Sequence, residues 1–217
     1  METIEVNKQS SICIRDKKVL YFDPLECEGK HDADYIFITH PHYDHFSLLA
    51  ILEVKKEDTI IVTTKDIVEE LLSVGFKEEN IVIVKPCSNY VLKSLEFRTI
   101  PAYNIHKKYH PKDNMWVGYL VTLNGVVYYI TGDTDLTSYQ KEVKCDVLFV
   151  PIGGSYTMNY VDASMLTNLI KPKLVIPTHY LYNVGDMDTA KNFKSRINKG
   201  ITCKILLKES EIDDWRI

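Results

Sequence analysis

His40-Pro41-His42-Tyr43-Asp44-His45 sets four metal-capable side chains within six residues. An apolar run, Tyr35-Ile36-Phe37-Ile38-Thr39, comes just before it and reads as a buried strand. Pro41 has no N–H and disfavours a helical His40, so the strand gives way to a loop at the cluster. Three imidazoles and a carboxylate this close repel when protonated and are costly to bury unpaired. A bound cation removes both costs. One tetrahedral site cannot easily use all four groups, so the spacing favours two divalent ions.

The chain on either side reads as short strands with helices between them. Polar residues separate Ile4 from Val6, Ile12 from Ile14 and Leu20 from Phe22, which predicts three half-buried strands, with Arg15-Asp16-Lys17-Lys18 as a turn. A helix is predicted from Ser47, a plausible cap, to about Val54. A strand over 59–63, a helix over 66–73 closed by Gly75, and strands over 81–84 and 97–100 follow. Asn124-Gly125 between 117–123 and 126–130 is a two-residue hairpin signal. Strands over 147–150 and 174–176 flank a helix over 161–170, and a helix over 190–198 precedes a strand over 202–207. Two β-rich halves, each with helices, predict an α/β fold of four αββα layers, with 1–217 as a single domain.

At 217 residues, 45% hydrophobic and 26% charged, the composition is that of a globular protein. A net charge of −4 disfavours a general nucleic-acid binder and favours a small-molecule substrate. No apolar stretch is long enough to span a bilayer, so no membrane partner is expected. Met1-Glu2-Thr3-Ile4-Glu5 has no secretory character. Cys13, Cys27, Cys87, Cys145 and Cys203 are scattered, without C-x-x-C spacing, and read as reduced thiols of a cytoplasmic protein. The spacing does not give the oligomeric state.

More ligand-type residues follow later strands: Asp133 in Thr131-Gly132-Asp133-Thr134-Asp135, and His179 in Pro177-Thr178-His179-Tyr180. One ion would take His40, His42 and a further imidazole, His106 or His110. The other would take Asp44, His45 and His179, and Asp133 would bridge them about 3.5–4 Å apart. Imidazole mixed with carboxylate suits zinc, and also manganese or iron. Gly132 would let the backbone of Asp133 approach the ions. Asp23 is a candidate for orienting a ligand histidine. Tyr103, Trp116, Tyr156 and Tyr180 are candidate pocket walls. Lys107 and Lys108 could attract an anionic substrate group.

Taken together, H-x-H-x-D-H, a later His, G-D-T-D and a final His after a strand resemble the metallo-β-lactamase-fold superfamily. Within it the chain looks like the small stand-alone hydrolases of the ascorbate-6-phosphate-lactonase type. Pro101-Ala102-Tyr103-Asn104, His110-Pro111-Lys112, Trp116-Val117-Gly118-Tyr119, Gly132-Asp133-Thr134-Asp135, Pro151-Ile152-Gly153-Gly154-Ser155-Tyr156-Thr157-Met158 and Ile176-Pro177-Thr178-His179-Tyr180 carry the likeness over roughly residues 10 to 207. The resemblance implies His110 as the third imidazole and puts Asn104 beside Tyr103 on the substrate side. His42, where flavodiiron relatives carry Glu, implies the hydrolase branch. The implied function is hydrolysis of a small ester, lactone or phosphodiester by a hydroxide bridging the ions, with catalytic Asp44 and Asp133. The rival functions are a nuclease or phosphodiesterase on RNA or DNA, a metal-bound binding protein without turnover, and a redox di-iron protein.

Overall fold

Alternation sorts the first strands onto two buried faces. In β2 (Ile12–Arg15), β3 (Val19–Phe22) and β4 (Ala33–Phe37) successive side chains point to opposite sides. Ile12, Ile14, Leu20, Phe22, Tyr35 and Phe37 enter one apolar cluster; Cys13, Tyr21, Ile36 and Ile38 enter another. The computed structural model describes residues 3–93, 95–182 and 184–207. Met1 and Glu2, part of the secretion reading, and the two ends of the 1–217 domain lie outside those residues.

Two sheets are present among the described residues. The first runs, in chain order, through β1 (Thr3–Val6), β2, β3, β4, β5 (Lys55–Thr63) and β6 (Ile81–Ile83). It is antiparallel up to β3 and parallel from there to β6. The second holds β7 (Asn89–Leu92), β8 (Leu95–Pro101), β9 (Val117–Leu123), β10 (Val126–Ile130), β11 (Val147–Pro151), β12 (Leu174–Thr178) and β13 (Thr202–Cys203), again in chain order. It is antiparallel up to β10 and parallel beyond.

The inner faces of both sheets share the first cluster, where Phe37 packs on Phe22, Phe97 and Tyr119 at 4.9, 5.3 and 5.0 Å between ring centres. The outer face of the first sheet packs on α1 (Leu48–Val54) and α2 (Val68–Ser73) through Ile51, Val54 and Leu71. The second sheet carries α4 (Tyr160–Ile170) and α5 (Met187–Ser195), which add Leu166, Ile170 and Phe193 to its core; the short α3 (Ser138–Lys141) precedes β11. The order is helix, sheet, sheet, helix, the four-layer αββα sandwich expected from the sequence.

Several boundaries differ, each for a local reason. β4 ends at Phe37, yet Ile38 N still donates to Val62 O at 2.9 Å, so the ladder outlasts the strand. β5 begins at Lys55 through a charged stretch that apolar patterning misses. The helix expected over 66–73 splits into a 3-10 turn, Lys65–Ile67, and α2. α5 runs from Met187 to Ser195, its start set by the capping box of Asp186 and Thr189. β13 covers only Thr202–Cys203; beyond it Leu207 is buried without a ladder partner strand. β7 and α3 are absent from the sequence reading: each is only four residues long, and α3, Ser-Tyr-Gln-Lys, has no apolar stripe. The hairpin holds, with Asn124 at φ 49° and Gly125 at φ 81°, as a type I′ turn requires.

The sheets are pinned together where the ligand loop begins. Tyr119 OH donates to Ile38 O at 2.7 Å, and Val117 N donates to Thr39 O at 3.4 Å. Only glycine fits between these contacts: a Cβ on Gly118 would lie 2.4 Å from Thr131 O. The last residues before His40 are thus held from both sheets.

Candidate metal centre

The carboxyl ends of β4, β8, β10 and β12 lead to the candidate ligands, the usual place for a site on parallel strands. After β4, His40 Nε2 lies 3.1 Å from His42 Nδ1. After β8, the loop returns His110 with Nε2 at 3.2 Å from His40 Nε2. These three rings form one metal-capable group; Asp44, His45 and His179 form another, with Asp44 Oδ2 at 3.1 Å from His179 Nε2. His40, His45 and Asp133 form a third group that overlaps the first two.

Asp133 stands between them. Its Oδ1 is 3.3 Å from His45 Nε2, and its Oδ2 is 3.4 Å from His110 Nε2 and 3.3 Å from His179 Nε2. Gly132 makes this possible as the sequence predicted: it has φ +64°, and a Cβ there would lie 3.2 Å from Thr39 Cβ. Burial alone would push the Asp133 carboxyl up, yet the imidazoles of His179 and His45 hold it well below the usual carboxylate range. Burial would likewise depress His45, yet Asp133 and Asp23 hold it well above the ordinary imidazole value. Burial pushes His40 well down and His110 down to about 4, so both rings are neutral and available as donors.

Asp23 takes the orienting place. It is fully buried and accepts from Thr39 N, Thr39 Oγ1 and His45 Nδ1, each at 2.7 Å. The Nδ1 proton is thereby fixed and Nε2 is turned to the site. His45 Nε2 and Asp133 Oδ1 are buried with no hydrogen-bond partner among the described residues. Leaving such atoms orphaned costs stability. A divalent cation between them would satisfy both, so the donor set fits the expected ions.

His106 is exposed and belongs to none of the metal-capable groups among the described residues, whereas His110 belongs to one. A cavity of about 300 Å³ opens beside the ligands, lined by His42, Tyr43, Asp44, Tyr109, His110, Asp133, Tyr156 and His179. Of the proposed wall residues, Tyr156 is on it. Trp116 is not: it is buried behind the ligands, 5.0 Å from the His40 ring, with Nε1 donating to Asp66 at 3.3 Å. Tyr180 is fully buried and donates to Leu207 O at 2.8 Å, away from the cavity. Tyr103 packs against Tyr139. Asn104 is a brace, donating through Nδ2 to Tyr109 O at 2.9 Å and Tyr156 O at 2.6 Å. Lys107 is tied to Asp135 and Thr157 O, so it is not free for a substrate anion. Tyr43 and Tyr109 were missed. Their only sequence signal is position, each next to a ligand, and loop position does not tell where a ring points.

Comparison with known proteins identifies the family and the fold. The family described as Beta-lactamase superfamily domain matches residues 6–179. A UPF0173 metal-dependent hydrolase of Ligilactobacillus salivarius is 36% identical over 158 residues, 69% of this chain and 67% of that protein. A Parabacteroides distasonis structure assigned to the metal-dependent hydrolases superposes with TM-score 0.79 at 28% identity, covering 95% of this chain and 94% of that one. The metallo hydrolase Igni18 of Ignicoccus hospitalis shares the fold, with TM-score 0.74 at 21% identity over 96% of each chain. The chain belongs to the beta-lactamase superfamily and has the metallo-β-lactamase fold.

Proposed function

We propose that this superfamily member is a metal-dependent hydrolase of small-molecule esters, lactones or phosphodiesters, working with two divalent ions, zinc first and manganese or iron as substitutes. The observation that carries this reading is Asp133, whose two oxygens face histidines of both three-residue ligand groups. His40, His42 and His110 would hold one ion, Asp44, His45 and His179 the other, with Asp133 shared. Bound there, the ions supply an acidified water as nucleophile and a Lewis acid for the substrate oxygen. The protein's own part is to place them. Asp23 fixes the His45 tautomer. Trp116 backs the rings of His40, His42 and His110. Asp44 lines the cavity, where its carboxylate would relay a proton from the acidified water to the leaving group.

A cavity of about 300 Å³ is at the small end for ligand sites, which supports a small substrate. No lysine or arginine among the described residues lines it, which supports a small molecule over nucleic acid. We propose a cytoplasmic protein, which five cysteines without disulfide partners support, and a single domain, which one apolar core shared by both sheets supports. No helix among the described residues is long and apolar enough to cross a membrane.

The test is a hydrolase screen on metal-loaded protein, with nitrophenyl esters, lactones, a bis-aryl phosphodiester and oligonucleotides. The expected result is turnover of a small substrate that chelator abolishes and zinc or manganese restores. Turnover untouched by chelator, or none on any substrate with the ions bound, would refute it.

A further inference from the structure

We propose that Tyr43, Tyr109 and Tyr156 form a specificity subsite for an aromatic or other flat apolar group next to the scissile bond. The proposal rests on the hydrolase reading above and names the substrate class of that site.

All three rings line the same cavity as His42, Asp44, His110, Asp133 and His179. The chain buries Tyr21, Tyr119, Tyr128, Tyr129 and Tyr180 almost completely, yet leaves Tyr43, Tyr109 and Tyr156 85%, 46% and 40% exposed. Exposed aromatic surface gathered at one mouth marks a binding site. Tyr109 and Tyr156 meet edge to face, 5.1 Å between centres and 79° between planes. The pair presents both a ring face and a ring edge to an incoming group, the geometry that aromatic contacts favour.

The subsite is built in advance. Asn104 Nδ2 joins the carbonyls of Tyr109 and Tyr156, which clamps the two loops to one another. Lys107 reinforces the clamp through Asp135 and the Thr157 carbonyl, and Ile105 N donates to Asp135 at 2.9 Å. Tyr43 sits between two candidate ligands, His42 and Asp44, and Tyr109 directly precedes His110. The backbones of Tyr109 and Tyr156 are thereby fixed beside the candidate ligands, which lowers the ordering left for binding at that pair.

Charge narrows the class further. The cavity wall holds no lysine or arginine among the described residues, and Lys108 Nζ stands 5.9 Å from the Tyr109 ring centre at the rim. No cationic side chain among the described residues lines the cavity wall to make the paired charge-assisted hydrogen bonds that a dianionic phosphate favours. The favoured substrate is neutral or singly charged, with its carbonyl or phosphoryl at the ions and a flat group on the tyrosines.

The experiment measures binding, not turnover. Benzohydroxamate and acetohydroxamate carry the same metal-chelating head and differ by phenyl against methyl. Calorimetry on zinc-loaded wild type is expected to give benzohydroxamate an advantage of about tenfold or more. Tyr109→Ala and Tyr156→Ala, and to a smaller degree Tyr43→Ala, should bring that ratio toward unity; Tyr109→Phe should keep it. Tyr109→Leu and Tyr156→Leu preserve bulk and replace any alanine variant that fails to fold. A wild-type ratio near one, or a ratio that none of the variants lowers, overturns the subsite and leaves the hydrolase reading standing. Failure of both hydroxamates to bind overturns the hydrolase reading and the subsite with it.

Discussion

Asp23 carries more of the site than its place in a Phe22-Asp23-Pro24 turn signals. It holds a left-handed φ of +45°, as His110 and His179 do at 60° and 52°, so three site residues adopt a conformation that side chains rarely choose. Two hydrogen bonds from Thr39 hold the Asp23 carboxylate, and its 2.7 Å bond with His45 Nδ1 sets the orientation of that ring. Asp23→Asn keeps the shape but loses the charge that stabilises the Nδ1 proton. It should weaken zinc affinity about 10- to 100-fold, read by competition with a chromophoric chelator; unchanged affinity would contradict the orienting role. The candidate ligands of the His40–His45 segment are legible because they crowd into six residues, and Asp133 and His179 because each comes shortly after an apolar strand. His110 needed the family pattern, since His106 offers the same side chain four residues earlier. Trp116 and Tyr180 look like pocket walls in sequence and are packed in the interior, because packing across the sandwich, not local pattern, decides where an aromatic ring lies.

At the scale of elements, Asp34 ties the parallel half of the first sheet together at the end opposite the ligands. It accepts from Val19 N on β3 at 2.8 Å, from Lys18 Nζ at 3.1 Å and from Lys56 Nζ on β5 at 2.8 Å. Burial alone would raise its carboxyl, but the hydrogen bonds from Lys56, Val19 and Lys18 lower it below the ordinary 3.8. A depressed folded-state value contributes stability above the unfolded value, and that stability is lost as pH falls through the folded one. Asp34→Asn should therefore cost about 1 kcal/mol at neutral pH. The gap to wild type should close once the pH is well under 3.8, in urea melts across that range. A gap that is constant with pH would show that the charge is not what matters. Strands with apolar alternation, such as β2 and β3, were readable because burial on two faces imposes a period of two. β7, a four-residue edge strand, turns Tyr90 and Leu92 inward and Asn89 and Val91 outward, and the outward Val91 hides the alternation from the sequence. The start of α5 was missed because a cap, not an apolar residue, sets it.

At the scale of the molecule, both sheets run from antiparallel to parallel in chain order, and the loops after β4, β8, β10 and β12 meet at one mouth. The fold class was legible from the strand and helix order, while the convergence itself is a property of the sandwich. Residues as far apart in sequence as Ile38 and Tyr119, or Gln9 and His179, are joined there by single hydrogen bonds at 2.7 and 3.1 Å. The most direct test of the central claim is metal content per chain, by mass spectrometry on protein purified without chelator, beside Asp133→Ala, His110→Ala and His106→Ala. The account predicts about two ions in wild type and in His106→Ala, with clear loss in Asp133→Ala and His110→Ala. Near zero in wild type after added zinc or manganese, or full occupancy in Asp133→Ala, would contradict it.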